Sequence, residues 1–173
     1  MYIQSTKSFY QVNALGHTYV KATFYNAVDY VQYLEGKRKL EEVKRAEVKA
    51  LVDTGATFPT LPKETITQLA LPTLGEHPAE TAEGTGKVEL AANAIIKIDD
   101  RIAQSPIIIR PKDTTPLIGV VALEQMGYKV DPTTGKLIKG LPLMFYFLFS
   151  STKACMTVSK SMIGTFASPR IKG

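Results

Sequence analysis

The chain has 173 residues, enough for one domain with an ordinary core and too few for two large domains. Apolar residues make up 45% of it and charged residues 21%, values that exclude a disordered composition. The net charge of +5 includes a basic stretch at residues 37–45 that is interleaved with glutamates, which indicates a solvated face and predicts no nucleic-acid partner.

The first clear element is a strand. Residues 18–26 place Val20, Ala22 and Phe24 on one side, as a half-buried strand requires. The residues that follow, 26–29, have the composition of a turn or loop. The first strand is therefore expected to end at a turn.

The segment 40–52 contains helix-forming residues, so propensity alone would make it a helix. Its second half nevertheless alternates, with Ala46, Val48, Ala50 and Val52 on one side, and it runs into an Asp-Thr-Gly turn. We interpret the second half as a strand.

Residues 87–99 show the most regular alternation in the chain. One face would carry Val88, Leu90, Ala92, Ala94, Ile96 and Ile98. The glycines of residues 83–86 indicate a hairpin tip before this strand, and Asp99-Asp100 indicates a reversal after it. Residues 107–109 predict a further buried strand that Pro111 ends.

One short helix is predicted at residues 120–126, with Gly127 as its C-terminal cap. Residues 130–138 then predict a hairpin, because turn residues separate two short apolar pieces. The chain is divided into an N-terminal extension (1–17), one domain (18–140) and an unassigned apolar tail (141–173).

The tail's apolar run at 141–149 is shorter than the roughly 20 residues that span a membrane, so no membrane span is predicted. We expect the run to pack on the core or on a partner, with a disordered extension as the alternative. The N-terminus lacks the apolar core of a signal peptide, and the lone Cys155 cannot form an intrachain disulfide. A cytoplasmic location is predicted. His17 and His77 stand alone, so surface or loop roles are favoured and no metal site is predicted.

The chemistry-bearing pattern is the Asp-Thr-Gly turn at Asp53. A bare Asp-x-Gly is more often a surface turn than a catalytic site. Here the apolar residues 50–52 lead into it, and the small residues Gly55 and Ala56 follow between the hydroxyls of Thr54 and Thr57. This context favours a carboxylate exposed on a packed chain.

These residues resemble the retropepsin-like aspartic peptidases, in which an apolar pair precedes Asp-Thr-Gly-Ala and an apolar-apolar-Gly element follows well downstream. That second element is Leu117-Ile118-Gly119. Residues 81–86 stand at the position of the family's flap, and residues 121–127 at that of its short helix. The resemblance covers residues 18–138 and is closer to small prokaryotic members than to viral ones. Thr57 and Val120 replace the Asp and Arg usual in viral members, which changes the outer hydrogen-bond network.

The resemblance implies an all-β, closed barrel-like retropepsin (acid protease) fold with one short helix, acting as a homodimer. It implies an aspartic endopeptidase that needs no cofactor or metal and takes a peptide or protein substrate. Asp53 would be catalytic. Its supporting residues would be Thr54, Gly55, Ala56, Ile118 and Gly119. The flap would consist of Ala82, Glu83, Gly84, Thr85 and Gly86.

Hydrolysis by carboxylates needs an acid and a base, so two carboxylates must meet and share a proton. No second Asp-Thr-Gly occurs at the other candidate aspartates, which are Asp29, Asp99, Asp113 and Asp131. The second carboxylate is therefore expected from a second chain, across a two-fold axis.

Two other classes of protein could account for the Asp-Thr-Gly turn. ATPases of the actin and sugar-kinase type also use Asp-x-Gly loops, but their two-lobed folds need a longer chain and further phosphate-binding loops, which this sequence lacks. The closer alternative is a catalytically idle retropepsin-fold dimer that serves as a peptide-binding or assembly module, because a fold does not determine a function.

Overall fold

The computed structural model describes residues 10–12, 17–81 and 84–142, which are mostly strands with three short helices. The strands are β1 (Tyr10–Val12), β2 (Thr18–Asn26), β3 (Arg45–Val52), β4 (Thr60–Pro62), β5 (Thr73–Thr81), β6 (Gly84–Ile98), β7 (Arg101–Arg110), β8 (Leu117–Ile118), β9 (Tyr128–Val130) and β10 (Leu137–Lys139). The helices are α1 (Ala27–Leu34), α2 (Lys63–Leu69) and α3 (Val120–Met126), with a 3-10 turn at Leu40–Glu42. The mostly-β prediction is confirmed, and the expectation of a single short helix is wrong.

Eight strands form one sheet in the order β1-β2-β3-β8-β4-β7-β6-β5. Strand β2 also pairs with β6, so the pairings from β2 through β8 to β6 form a closed circuit. Within it β3 runs parallel to β8, with Val52 opposite Ile118, and β4 lies between β8 and β7. This arrangement brings two distant segments, around residues 52 and 118, side by side.

The inner face of the circuit forms the main core. Its large, almost inaccessible side chains come from strands and from α2 and α3: Val20, Phe24, Leu61, Leu69, Ile96, Ile98, Ile107, Ile118, Leu123 and Met126. Burial of each contributes about 1.5–3 kcal/mol relative to exposure. The predicted strand at 18–26 is confirmed, as is the strand interpretation of the second half of 40–52.

Strand β6 departs from the strict alternation predicted for 87–99. Its register with β7 shifts between Ala91 and Ala94, and Ala94, Ile95 and Ile96 are buried in succession. Both faces are covered there, because Ile96 packs into the main core while Ile95 joins a second cluster around Tyr25. The bulge allows one strand to serve both clusters.

Residues 26–29 do not form the predicted turn. The Asn26 side-chain oxygen accepts hydrogen bonds from the amides of Val28 (3.0 Å) and Asp29 (3.2 Å), which makes Asn26 the N-cap of α1. Its amide nitrogen donates to the Leu69 carbonyl (3.0 Å) and so joins the start of α1 to the end of α2. The composition that indicated a turn therefore begins a helix.

The predicted helix at 120–126 and the predicted hairpin are both confirmed. Helix α3 ends at Gly127, whose φ of 67° is the left-handed cap conformation. Strands β9 and β10 pair antiparallel, with Leu137 opposite Val130. Lys139 of β10 binds Asp99 and Asp100 at the β6–β7 turn, and this hydrogen bonding lowers the pKa of Asp100 to about 2.

The predicted tail lies almost wholly outside the described residues, which end at residue 142. Among the helices of the described residues, none has the length and apolar character needed to cross a membrane.

Candidate active site

Asp53 lies at the end of β3, where the strand runs beside β8. The Leu51 amide donates to the Pro116 carbonyl (2.9 Å), and the Asp53 amide donates to the Ile118 carbonyl (3.0 Å). Because these bonds join two core strands, the backbone that carries Asp53 is fixed before the chain turns away. The side chain of Asp53 is half-buried, while Thr54 and Gly55 are exposed.

The turn after Asp53 holds its carboxylate. The Gly55 amide donates to Asp53 Oδ1 (2.9 Å), and the Ala56 amide donates to the Asp53 carbonyl (3.3 Å). A Cβ atom on Gly55 would lie 3.2 Å from the same Oδ1, closer than most side-chain contacts allow. Glycine at 55 therefore lets the backbone amide approach and orient the carboxylate.

The loop after the turn packs on the start of α3. The Val120 amide donates to the Ala56 carbonyl (2.8 Å), and the Val121 amide donates to the Thr57 carbonyl (3.2 Å). A Cβ on Gly119 would meet the backbone of this loop at 2.7–2.8 Å, so only glycine fits. The structure thus brings Ile118 and Gly119 against the Asp53 loop, with Ile118 fully buried behind it.

A cavity of about 700 Å³ opens beside Asp53. The loop lines one part of it, through Asp53 and residues 55–58. The β5–β6 hairpin lines another part, through His77, Pro78, Ala79, Glu80, Val88 and Leu90. Its base comes from β4, β7 and β8, through Thr60, Ile108, Arg110 and Leu117. Asp53 and the β5–β6 hairpin thus border the same cavity, whose volume suits a segment of peptide.

Of the predicted flap residues, Gly84, Thr85 and Gly86 belong to this same hairpin. Thr85 pairs with Glu80 and Gly84 with Thr81, nearer the tip, and neither Thr85 nor Gly86 lines the cavity. Ala82 and Glu83 lie outside the described residues.

Thr54 faces a different side of the molecule from this cavity. It lines a depression of about 430 Å³ with Leu123, Tyr128 and Leu141 among its other walls, and a smaller one of about 280 Å³ that Asp53 also borders. We call the surface that holds these two depressions the Thr54 face. Asp53 borders both the cavity and this face.

Sequence reasoning missed Phe58, His77, Glu80 and Arg110 as cavity residues. A usable signal was present for two of them, because counting back from the predicted hairpin tip places His77 and Glu80 on the strand that pairs with β6. Arg110 gave no local signal, since its position depends on the parallel pairing of β4 with β7. Within the described residues no three His, Cys, Asp or Glu side chains are grouped closely enough to hold a metal ion.

Comparison with known protein families supports an aspartic protease-like function for the segment that contains this site. Residues 42–125, which include the Asp53 loop, the hairpin and Gly119, match the family described as gag-polyprotein putative aspartyl protease. No curated protein matches the chain. The family match confirms the resemblance that the sequence indicated.

Proposed function

We propose that the chain is an aspartic endopeptidase of the retropepsin type whose active site forms between two copies, since residues 42–125 match the family described as gag-polyprotein putative aspartyl protease. The observation that carries this proposal is the placement of Asp53. Its carboxylate is oriented by the Gly55 amide beside a cavity that the β5–β6 hairpin also lines.

A second copy is proposed because a symmetry-related Asp53 is better placed than Glu80 to supply the second catalytic carboxylate. Among the described residues that line it, the acidic side chains are Asp53 and Glu80. Glu80 is exposed on the hairpin, whereas Asp53 borders the Thr54 face as well. A two-fold axis passing this face would bring Asp53 next to its symmetry mate and the two Thr54 hydroxyls into contact across the axis.

In this dimer the two Asp53 carboxylates would share one proton, since two adjacent negative charges cannot both persist. The ionised carboxylate would take a proton from water as the water attacks the peptide carbonyl. The protonated one would donate to the carbonyl oxygen, and a proton would then pass to the leaving amine. Water is the nucleophile, so no covalent intermediate with the chain forms.

The substrate would lie extended between the Asp53 loop and the hairpin, as a strand added beside β structure. The half-buried Phe58, Leu90, Ile108 and Leu117 offer apolar contacts to its side chains. Residues 82–86 would act as a flap over it. The domain would extend over 18–140 in a closed, barrel-like retropepsin fold.

An idle dimer that binds peptides remains the second candidate, because the same cavity would bind a peptide without cleaving it. A cytoplasmic location stays a prediction from the sequence.

The test is hydrolysis of unfolded casein over an acidic to neutral pH series, with and without pepstatin. Asp53→Asn should lower the rate by about 100-fold or more, because it removes the acid-base pair while keeping the shape of the side chain. Asp113→Asn is the matched control. Asp113 is exposed and lies outside the cavity lining, and its φ of 62° suits asparagine. Equal rates for wild type and Asp53→Asn would contradict the proposal. Wild-type chains that bind casein but do not cleave it, with or without pepstatin, would favour the idle dimer.

A further inference from the structure

Arg110 is a cationic residue at the edge of the cavity, and its backbone is held in place on both sides. It is the last residue of β7, where Pro62 of β4 is its partner in the parallel pairing. The loop that follows is held by two bonds: the Thr114 hydroxyl donates to the Pro111 carbonyl (2.8 Å), and the Asp113 amide donates to Glu64 Oε1 (3.1 Å). The starting point of the Arg110 side chain is therefore defined.

The guanidinium of Arg110 has no carboxylate partner within the described part of the chain. None of the ion pairs there includes it. Two other acidic side chains of this region form hydrogen bonds with backbone amides. Glu64 accepts one from the Asp113 amide, and Asp53 accepts one from the Gly55 amide. Glu80 lines the cavity from the hairpin without pairing with Arg110.

The rest of the cavity lining is largely apolar, so Arg110 places a positive charge beside apolar side chains. Its planar guanidinium can bind a carboxylate through two parallel hydrogen bonds, a geometry that an ammonium group cannot provide. An occupant that satisfies both features has apolar side chains and one acidic side chain nearby.

We propose that Arg110 makes the cavity select peptides that carry a glutamate or aspartate at one fixed position beside their central apolar residues. This inference rests on the proposed function only in taking a peptide as the occupant. Glu80, which also lines the cavity, disfavours acidic side chains at the peptide positions that lie next to it.

The test uses synthetic decapeptides with a central Leu-Phe pair, in which a single Glu, Gln or Lys is moved through each flanking position. Two quantities are measured: kcat/KM of the wild-type chain, and the Kd of the Asp53→Asn chain for the same peptides. The binding measurement does not depend on catalysis. Each is repeated with Arg110→Gln and Arg110→Glu introduced, and with Lys112→Gln as the control, since Lys112 is an exposed cation outside the cavity lining.

At one position Glu should be preferred over Gln by about 3- to 10-fold, and added salt should reduce this preference. Arg110→Gln should abolish it, Arg110→Glu should reverse it in favour of Lys, and Lys112→Gln should retain it. A preference for Glu in binding with no hydrolysis by any variant would support the inference while contradicting the peptidase proposal. The inference is overturned by equal treatment of Glu and Gln at every position, by a preference that survives in Arg110→Gln, or by the failure of all the peptides to bind.

Discussion

Gly119 packs directly on the backbone of Phe58: a Cβ atom at position 119 would lie 2.7 Å from the Phe58 carbonyl carbon. The contact is between backbone segments, so no side chain can rotate away to relieve it. We expect Gly119→Ala to lower the free energy of unfolding by about 1–3 kcal/mol and to displace the Asp53 loop. Thermal and urea unfolding would measure the loss of stability.

The matched control for this prediction is Gly86→Ala. A Cβ at Gly86 meets nothing within 4 Å, and its φ lies outside the left-handed region, so the unfolding free energy should stay close to that of wild type. Equal unfolding curves for Gly119→Ala and wild type would show that the loop yields easily and that glycine is not required there.

Glu80 provides a test of where the second carboxylate comes from. It is the other acidic side chain among the described residues that line the cavity. If the dyad consists of two Asp53 side chains, Glu80→Gln should change kcat by less than about 3-fold, the size of an exposed-charge effect. A loss comparable to that of Asp53→Asn, measured with the same casein assay, would instead assign the second carboxylate to Glu80 of the same chain.

Much of the fold could be predicted from local patterns. The strand at 18–26 alternates between buried and more exposed residues up to Phe24, and Gly127 supplies the left-handed conformation that ends α3. The break in β6 at Ala91–Ala94 could not be predicted, since it depends on β6 facing the main core and α1 at once. Helix α1 was not predicted because apolar residues occur on both of its faces: Val28, Val31 and Leu34 are exposed, while Tyr30 and Tyr33 pack on the second cluster.

The site was predictable in part. The Asp-Thr-Gly turn and Leu117-Ile118-Gly119 could be identified through the family resemblance, and the parallel pairing of β3 with β8 explains why they meet. The cavity residues Phe58 and Arg110 were not predictable, because each reaches the cavity through long-range strand pairing or loop packing. Such placements leave no periodic trace in the sequence.

Arg101 connects the end of α3 to the chain after β10. Its Nη1 donates to the carbonyls of Met126 (2.5 Å) and Gly140 (2.7 Å), and its guanidinium lies 5.4 Å from the centre of the Tyr128 ring. Arg101→Gln should lower the free energy of unfolding by about 1.5–3 kcal/mol, because carbonyls at a helix C-terminus lose a cationic donor.

Unfolding in urea would measure this effect, with Arg110→Gln as the control because Arg110 is exposed and forms no ion pair in the described residues. The same loss of stability in both variants would mean that removing any arginine is costly and that the Arg101 contacts are not special.

The last prediction concerns the number of chains in one active site. If each chain contributes a single Asp53, activity belongs to the pair. Wild-type chains co-refolded with an excess of Asp53→Asn chains would then enter heterodimers that have one ionisable carboxylate and lack an acid-base pair. With random pairing, activity per wild-type chain should fall in proportion to the wild-type fraction.

Co-refolding with Asp113→Asn chains is the control, because these chains keep Asp53 and should leave activity per wild-type chain at least as high at every ratio. Dilution supplies an independent measurement, since a dimer governed by mass action loses specific activity below its dissociation constant. A chain that is active alone would give constant activity per wild-type chain in the Asp53→Asn series and constant specific activity on dilution. These two results together would contradict an active site shared between two chains. The exposed apolar depression on the Thr54 face would then have to be explained by something other than dimerisation.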